Sequence, residues 1–422
     1  MKRENANNTT LNHKSISEGW KKVKLEESVD IGSSKRIFYK EYVNEGIPFY
    51  RSKEIIEKYI GKNVSTDLFI TEEKFNEVKE KTGVPKEGDL LLTSVGTLGI
   101  PYVVNQYDKF YFKDGNLTWF KNFNKNLYNI FLYYWILSPV GRNELEMSSI
   151  GSTQAALTIK GLKNLEIHLP SLSEQKAIAS VLSSLDDKID LLHRQNKTLE
   201  AMAETLFRQW FVEEAQEDWE EVKLEEYVDC ITGYSYKSSD LNPSNIALVT
   251  LKNFARDGSF RMDGFKEYTG NFKESQVVKQ GDLVVSHTDI TQEASIIGNP
   301  VLVIDPGQYK TFIITMDLMK VESTKEWLSK EFLFYLFKSP DFKFHCLGCS
   351  NGTTVLHMSR KAIPSYEFKI PNKEKIIAFT ENIKPIIEKK FKNISQIITL
   401  EKLRDTLLPK LMSGEVRCYW RI

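Results

Sequence analysis

The sequence has few cysteines and no long apolar run. Four of its 422 residues are cysteine, Cys230, Cys346, Cys349 and Cys418, which indicates a reducing compartment and no disulfide framework. The most apolar stretch, residues 128–137, is shorter than the roughly 18 residues that a membrane-spanning helix needs. Residues 1–17 are rich in Asn and Thr and lack the apolar core of a signal peptide, so they predict a disordered tail. We therefore expect a cytoplasmic protein.

The chain also lacks a net charge, which by itself argues against a nucleic-acid partner. It has 57 basic and 57 acidic residues, whereas nucleic-acid-binding domains usually carry a basic excess. The balance is a cancellation, because residues 211–230 hold nine acidic residues and one basic, and residues 351–422 hold fourteen basic and seven acidic. The zero total does not exclude DNA. An apolar content of 41% supports folded cores, and the length suggests two or three domains.

An internal repeat is the most informative feature that is present. The segment Trp20 to Asp30 recurs as Trp219 to Asp229, at an offset of 199 residues. Further matches follow at an offset of 201, among them Ser138-Pro139 with Ser339-Pro340 and Leu199-Glu200 with Leu400-Glu401. This period is far too long for a solenoid repeat. The repeat therefore predicts a duplicated module, each copy a globular part followed by a helix.

The globular parts read as α+β. Gly88-Asp89 and Gly281-Asp282 are turn residues that precede short apolar runs, which predicts strands. Residues 126–137 and 327–338 have helical composition, and the Ser-Pro pair that follows each predicts its end.

Each copy ends in a long helix. In the first helix, from Ser173 to Val212, Ser173 is the predicted N-cap and apolar residues recur at alternating spacings of three and four. Asn196 interrupts this seam and requires a polar partner, because an unpaired buried amide is costly. In the second helix, from about Asn372 to Met412, Pro385 predicts a kink or a nearby start. The seam residues are Ile178, Leu182, Leu185, Ile189, Leu192, Asn196, Leu199 and Leu206 in the first helix, and Ile383, Ile394, Leu400 and Leu407 in the second. The two helices pack on each other or, alternatively, each packs on its own domain.

Three of these segments resemble the specificity subunits of type I restriction-modification systems. Residues 169–179, Leu-Pro-Ser-Leu-Ser-Glu-Gln-Lys-Ala-Ile-Ala, resemble the start of that family's central helix. Residues 403–416, with Leu-Leu-Pro and Ser-Gly-Glu, resemble its C-terminal signature, and the repeated segment at Trp20 and Trp219 resembles the opening of its target recognition domains. The resemblance extends over nearly the whole chain, about residues 18–416.

The resemblance implies an architecture and a function. It implies target recognition domains at 18–172 and 213–371, a central spacer helix at 173–212 and a C-terminal spacer helix at 372–416, with the helices packed as an antiparallel coiled coil and pseudo-two-fold symmetry. Such subunits are not enzymes: they read an asymmetric, bipartite DNA sequence and carry two modification (methyltransferase) subunits and the restriction subunits. S-adenosylmethionine, Mg²⁺ and ATP would then belong to those partners. A duplicated chain also suits two half-sites on one DNA face, set a helical turn or a multiple apart.

Basic, aromatic and amide side chains that match base edges and phosphates are the candidate DNA contacts. In the first copy they are Lys35, Arg36, Tyr39, Tyr50, Arg51, Lys53, Ser94, Thr97 and Gln154. In the second copy they are Tyr234, Tyr236, Lys237, Lys252, Asn253, Arg256, His287, Thr288 and Thr354. For any one of them an ordinary surface role is an equal alternative.

Other functions rest on weaker patterns. The sequence has no Gly-x-Gly-x-x-Gly and no Gly-x4-Gly-Lys-Ser/Thr motif. Asp341 with Glu367 and Lys369 fits a loose nuclease pattern, and Cys346 and Cys349 near His345 suggest zinc, but neither set recurs in the first copy. We expect no metal site and no catalysis. A duplicated scaffold that does not touch DNA is the remaining alternative.

Overall fold

The structure is a computed structural model that describes residues 19–151, 155–291 and 293–418. The predicted disordered tail lies outside these residues. The chain divides into two units: unit 1 comprises Met1–Lys188 and Leu400–Ile422, and unit 2 comprises Ile189–Thr399. Both units mix helices and strands, which confirms the α+β prediction.

The described residues of unit 1 form eleven strands and the first helices. The strands are β1 (Lys21–Lys24), β2 (Asp30–Gly32), β3 (Ile47–Tyr50), β4 (Phe69–Ile70), β5 (Leu90–Thr93), β6 (Pro101–Val103), β7 (Tyr111–Phe112), β8 (Leu117–Lys121), β9 (Ser149–Ile150), β10 (Ala156–Leu157) and β11 (Glu166–Leu169). The helices are α1 (Ser52–Tyr59), α2 (Glu72–Lys81), α3 (Asn129–Leu137), α4 (Pro139–Met147), α5 (Ile159–Asn164) and α6 (Leu172–Arg208), the last of which continues into unit 2.

The apolar run after Gly88-Asp89 forms a central strand of unit 1, as predicted. Strand β5 lies in an antiparallel sheet of order β2-β8-β5-β6, and its three leucines are fully buried. A second sheet places β3 between β4, which is antiparallel, and β7, which is parallel. Strand β1, from the repeated opening segment, pairs with β11, which is the strand that leads into the long helix α6. The start and the end of the globular part are therefore joined.

Unit 2 repeats this topology. Its strands are β12 (Glu220–Lys223), β13 (Val228–Thr232), β14 (Ile246–Val249), β15 (Lys266–Glu267), β16 (Val277–Val278), β17 (Leu283–Ser286), β18 (Thr288–Asp289), β19 (Pro300–Leu302), β20 (Thr311–Ile314), β21 (Leu318–Ser323), β22 (Ser350–Asn351), β23 (Leu356–Met358) and β24 (Glu367–Ile370). Its helices are α7 (Lys330–Phe337), α8 (Pro340–Gly348) and α9 (Lys373–Met412), the last of which ends in unit 1. The sheet order β13-β21-β17-β19, the pair β12-β24 and the parallel pair β14-β20 match those of unit 1.

The Ser-Pro pairs both end one helix and begin the next. The Ser138 hydroxyl accepts a hydrogen bond from Gly141 N (3.1 Å), and Pro139 takes the first helical position, where its missing N–H is not needed. A Cβ on Gly141 would lie 1.9 Å from the Trp135 carbonyl oxygen, so the two helices meet too closely for any other residue. Ser339 and Pro340 act in the same way in unit 2.

The long helices α6 and α9 follow the predicted segments with three corrections. Ser171, not Ser173, caps α6, since its hydroxyl accepts from Glu174 N (3.3 Å) and the helix begins at Leu172. Helix α6 ends at Arg208 and is followed by a π-helical turn, Gln209–Glu213. Pro385 lies inside α9 rather than near its start. None of the helices among the described residues combines the length and the apolarity that crossing a membrane requires.

Candidate nucleic-acid interface

In unit 1 the exposed candidates lie on the loop between β2 and β3 and at the start of α1. Lys35, Arg36 and Tyr39 are exposed, and the Ser34 hydroxyl fixes their loop by donating to Phe112 O (2.6 Å). Arg36 Nε donates to Asp114 Oδ2 (2.8 Å). The side chains of Lys35, Arg36 and Tyr39 therefore project from a loop whose backbone is fixed by the hydrogen bond of Ser34.

Residues Lys53 and Thr97 are exposed and lie on segments that the fold brings together. The Ser52 hydroxyl donates to Val95 O (3.5 Å) and Asn116 O (3.4 Å), which joins the start of α1 to the loop after β5. Lys53 Nζ also donates to Ser65 O (2.9 Å). Gln154 lies outside the described residues.

The remaining candidates of unit 1 have partners inside the protein. Tyr50 is buried, its ring stacks on Phe110 at a centroid distance of 4.4 Å, and burial raises the pKa of its hydroxyl to about 12. Ser94 is buried with its hydroxyl 2.7 Å from that of Thr118. These two side chains therefore serve the core of unit 1.

Arg51 is half-buried between two carboxylates. Its Nη2 donates to Glu54 Oε1 (2.7 Å) and Asp67 Oδ1 (2.5 Å), and Glu54 is fully buried. A guanidinium that two acids neutralise contributes little positive field. Arg36 is likewise paired with Asp114, so the cationic character of this surface comes mainly from Lys35 and Lys53.

In unit 2 the candidate DNA contacts that are exposed cations are Lys237, Lys252 and Arg256. Arg256 makes a long ion pair with Glu293 (3.4 Å), with both side chains mostly in solvent. Tyr236 is half-buried, and its hydroxyl accepts from Lys266 Nζ (2.7 Å). Tyr234, also half-buried, sits on the edge of the sheet, where its N–H donates to Ile314 O (2.8 Å).

Asn253 and Thr288 are buried. Asn253 Oδ1 accepts from Thr250 N and its Nδ2 donates to Arg261 O, both at 2.8 Å, so this amide holds a turn. The Thr288 hydroxyl lies 3.3 Å from His357 Nδ1. His287 is half-buried, and burial, reinforced by Arg360, lowers the pKa of its imidazole.

The segment after the central strand pairs with a later segment in each unit. In unit 2, β18 pairs with β23 in the register Thr288 to His357, close to the exposed Thr354. In unit 1, Val95 forms an antiparallel bridge with Ala156. In unit 2 the fold therefore places the predicted candidate Thr288 beside the segment that carries Thr354.

The seam residues are buried or half-buried in the unit to which each belongs. In unit 1, Ile178 and Leu182 are fully buried in the core that also contains Leu411, while Leu185, Leu400 and Leu407 are half-buried. In unit 2, the buried seam residues are Ile189, Leu192 and Ile383, and the half-buried ones are Asn196, Leu199, Leu206 and Ile394.

Polar contacts link α6 and α9 within each unit. In unit 1, Arg404 Nη1 donates to Asp186 Oδ1 (3.0 Å), and the same carboxylate accepts from the Tyr134 hydroxyl (2.7 Å). In unit 2, Asn393 Nδ2 donates to Asn196 Oδ1 (2.9 Å). Asn393 is the polar partner that Asn196 requires.

A group of four charged residues surrounds this seam in unit 2. Glu200 pairs with Lys338 (2.5 Å) and with Lys390, and Lys338 also pairs with Glu204. Burial raises the pKa of Glu200, but the two lysines outweigh burial and the pKa is lowered. Glu200 therefore remains ionised in a largely dry environment.

The alternative metal and thiol chemistry finds little support in this geometry. Among residues 19–151, 155–291 and 293–418, no cluster of three or more His, Cys, Asp or Glu could hold a metal ion. His345 Nε2 donates to Ala362 O (2.8 Å), and Cys346 is fully buried, which raises the pKa of its thiol to about 12. Glu367 forms an ion pair with Lys223 (3.5 Å). All four cysteines are free.

Sequence reasoning missed two residues that the structure makes prominent. Phe38 is 58% exposed beside Tyr39. The run of basic and aromatic residues from Lys35 to Lys40 was the sequence signal that could have identified it as a candidate contact. Asn393 is fully buried, although Ile394 next to it fitted the apolar stripe. The apolar residues of α9 are irregularly spaced, so the sequence-based assignment placed Ile394 on the buried face where the structure places Asn393.

The two units carry different exposed loops on one mixed scaffold of helices and strands. Residues 17–201 match the family model described as the type I restriction modification DNA specificity domain. These matches confirm the resemblance stated from the sequence: the chain is similar to the specificity subunits of type I restriction-modification systems.

Two relatives and one solved structure illustrate this similarity. The MjaIX type I restriction enzyme specificity subunit of Methanocaldococcus jannaschii is 27% identical, over 94% of this chain and 93% of the relative. The HindI specificity subunit of Haemophilus influenzae is 24% identical, over 78% and 87%. The crystal structure of the type I restriction-modification system S subunit from M. genitalium superposes with a TM-score of 0.62 at 17% identity, covering 94% of this chain and 98% of that chain, and so shares the fold.

Proposed function

We propose that the chain reads an asymmetric, bipartite DNA sequence, one half with each unit. The observation that carries the proposal is that the two units share a strand order but differ in their exposed loops. Unit 1 presents Lys35, Arg36, Lys53 and Thr97, whereas unit 2 presents Lys237, Lys252, Arg256 and Thr354. Equal scaffolds with unequal contact residues suit two different half-sites.

We also propose that α6 and α9 pack as an antiparallel coiled coil that sets the distance between the half-sites. The contacts inside each unit support this. In unit 2, Asn196 on α6 pairs with Asn393 on α9, and the later residue Glu200 pairs with the earlier residue Lys390, so the two helices run in opposite directions. In unit 1 the order of the contacts is also reversed, because Glu174 pairs with Arg417 and the later Asp186 pairs with the earlier Arg404.

Assembly completes the proposal. By analogy with the family, the chain carries modification and restriction subunits in the cytoplasm, and S-adenosylmethionine, Mg²⁺ and ATP act in those subunits. We propose a non-catalytic role for the chain itself. The purified chain should then fail to cleave plasmid DNA with Mg²⁺; cleavage that disappears in Asp341→Ala would instead support a nuclease.

The decisive experiment is to co-express the chain with its modification subunit and to sequence the methylated bases of the host DNA. The proposal expects one asymmetric motif of two short halves separated by an unspecified spacer. The absence of any motif, or a contiguous palindrome, would contradict it. Arg256→Ala should relax or weaken only one half of the motif, and Lys53→Ala only the other, because the two residues lie in different units.

A further inference from the structure

Two consecutive aromatic side chains project from unit 1 into solvent. Phe38 is 58% exposed and Tyr39 is 90% exposed. Single exposed apolar residues are ordinary on a protein surface. Two adjacent rings are less so, because their contiguous apolar surface is favourable only when a partner covers it.

The pair is held rigidly. Phe38 N–H donates to Glu41 Oε2 (2.8 Å) across the 3₁₀ turn Tyr39–Glu41, and Glu41 Oε1 pairs with Lys74 on α2 (2.8 Å). The next residue, Tyr42, packs its ring 5.1 Å from that of the fully buried Phe49. The two rings therefore stand on the core of unit 1, and a partner that covers them has little backbone to order.

Cations frame the aromatic pair. Lys35, Arg36 and Lys40 are exposed on the same short segment. Glu41 pairs with Lys74 and Arg36 pairs with Asp114, so Lys35 and Lys40 supply most of the positive charge around the two rings. Exposed aromatic rings can contact stacked bases, and the neighbouring cations can contact phosphates. This combination suits double-stranded DNA.

We propose that Phe38 and Tyr39 form a wedge that enters between adjacent base pairs of bound DNA, while Lys35, Arg36 and Lys40 contact the flanking phosphates. Insertion of apolar side chains unstacks a base step and kinks the duplex. The inference rests on the proposed function and adds the way in which one half-site is deformed.

The wedge belongs to one half-site only. At the repeat offset of 199, Lys237 and Ser238 stand where unit 1 has Phe38 and Tyr39. The aromatic neighbour in unit 2, Tyr236, is half-buried and bonded to Lys266. The two halves of the DNA target should therefore differ in shape as well as in sequence, with a flexible base step in the half that unit 1 reads.

The test uses the full chain with its modification subunit and duplexes that carry the methylated motif. 2-Aminopurine replaces one base at a time in both halves, leaving out the methylated base and its neighbours. We expect a several-fold rise in fluorescence on binding at one step of one half. Phe38→Ala/Tyr39→Ala should abolish the rise and weaken binding about tenfold.

Matched variants separate insertion from general damage. Tyr107, which is 87% exposed in the same unit, offers the control Tyr107→Ala, which should keep both signal and affinity. Tyr39→Phe should also keep both, since the ring and not the hydroxyl is inserted. All variants should keep the thermal midpoint of the parent, because they change exposed side chains.

The outcomes are distinct. A complex that methylates one bipartite motif but gives no fluorescence rise overturns the wedge and leaves the proposed function standing. A rise that survives the double substitution also overturns it. If no motif is methylated, the proposed function itself fails.

Discussion

Asp289 shows how a single polar residue can serve the fold inside a candidate DNA-binding loop. Its side chain is fully buried and accepts from Thr291 N (2.6 Å), the Thr291 hydroxyl (2.7 Å), Ile296 N (2.6 Å) and Ile297 N (2.7 Å). Burial raises the pKa of this carboxyl, but the hydrogen bonds outweigh burial and the pKa is lowered. The carboxylate therefore organises the loop that follows β18.

Asp289→Asn should lower the free energy of unfolding by about 2–3 kcal/mol at neutral pH, because an amide cannot accept from all four donors. Urea denaturation measures this change. Asp218→Asn, at an exposed position of the same unit, is the control and should change stability by less than about 0.5 kcal/mol.

The same residue predicts a dependence on pH. Because the folded pKa is lowered, the stability that Asp289 contributes is fully present above its unfolded value of about 3.9. It is lost as the pH falls through the lower folded value. The stability difference between the wild type and Asp289→Asn should therefore narrow below about pH 4, and a constant difference would contradict this assignment.

At the scale of elements, the helix pair depends on polar contacts that its apolar stripe does not reveal. Asn196→Leu should destabilise the protein by about 1–3 kcal/mol, because it leaves Nδ2 of the fully buried Asn393 with only its long hydrogen bond to Gln195 Oε1 (3.4 Å). Adding Asn393→Leu should recover much of the loss, since an apolar pair leaves no unsatisfied group. A double-mutant cycle by urea denaturation measures the coupling, and additive effects would show that the two amides do not interact.

The charged group around Glu200 predicts a larger effect. Lys390→Met leaves Glu200 with Lys338 alone and should cost about 3 kcal/mol, because a largely buried carboxylate loses one of its two cations. Arg404→Met removes the comparable pair with Asp186 in unit 1, where both side chains are about 30% exposed, and should cost about 1 kcal/mol or less. Equal losses in the two variants would contradict this reasoning.

For the whole molecule, the neutral total charge affects how DNA binding responds to salt. With 57 charges of each sign, the chain should bind DNA weakly alone and derive much of its phosphate attraction from modification subunits. The slope of log affinity against log salt concentration should therefore be shallow for the chain and steeper for the complex. Gel-shift titrations measure both slopes, and identical slopes would contradict this prediction.

The scaffold was predictable from the sequence because its signals are local. Gly88-Asp89 and Gly281-Asp282 come before the central strands, and Ser138-Pro139 marks a boundary between helices. Ser173 was the wrong cap by two residues, because Ser171 is an equally good capping residue and only the chain path selects it. The predicted domain boundaries and DNA contacts remain predictions.

The sequence by itself determined that one module is written twice, that each copy is α+β, and which family the chain resembles, because repeats, turns and family motifs depend on the order of residues alone. Tertiary structure decided which polar residues are available to a ligand. Some polar residues that the sequence offered as surface contacts are buried by packing, namely Tyr50, Ser94, Asn253 and Thr288. In contrast, Phe38 and Tyr39 remain exposed. It also decided that Asn393 partners Asn196, because two residues so distant in sequence meet only when the helices pack.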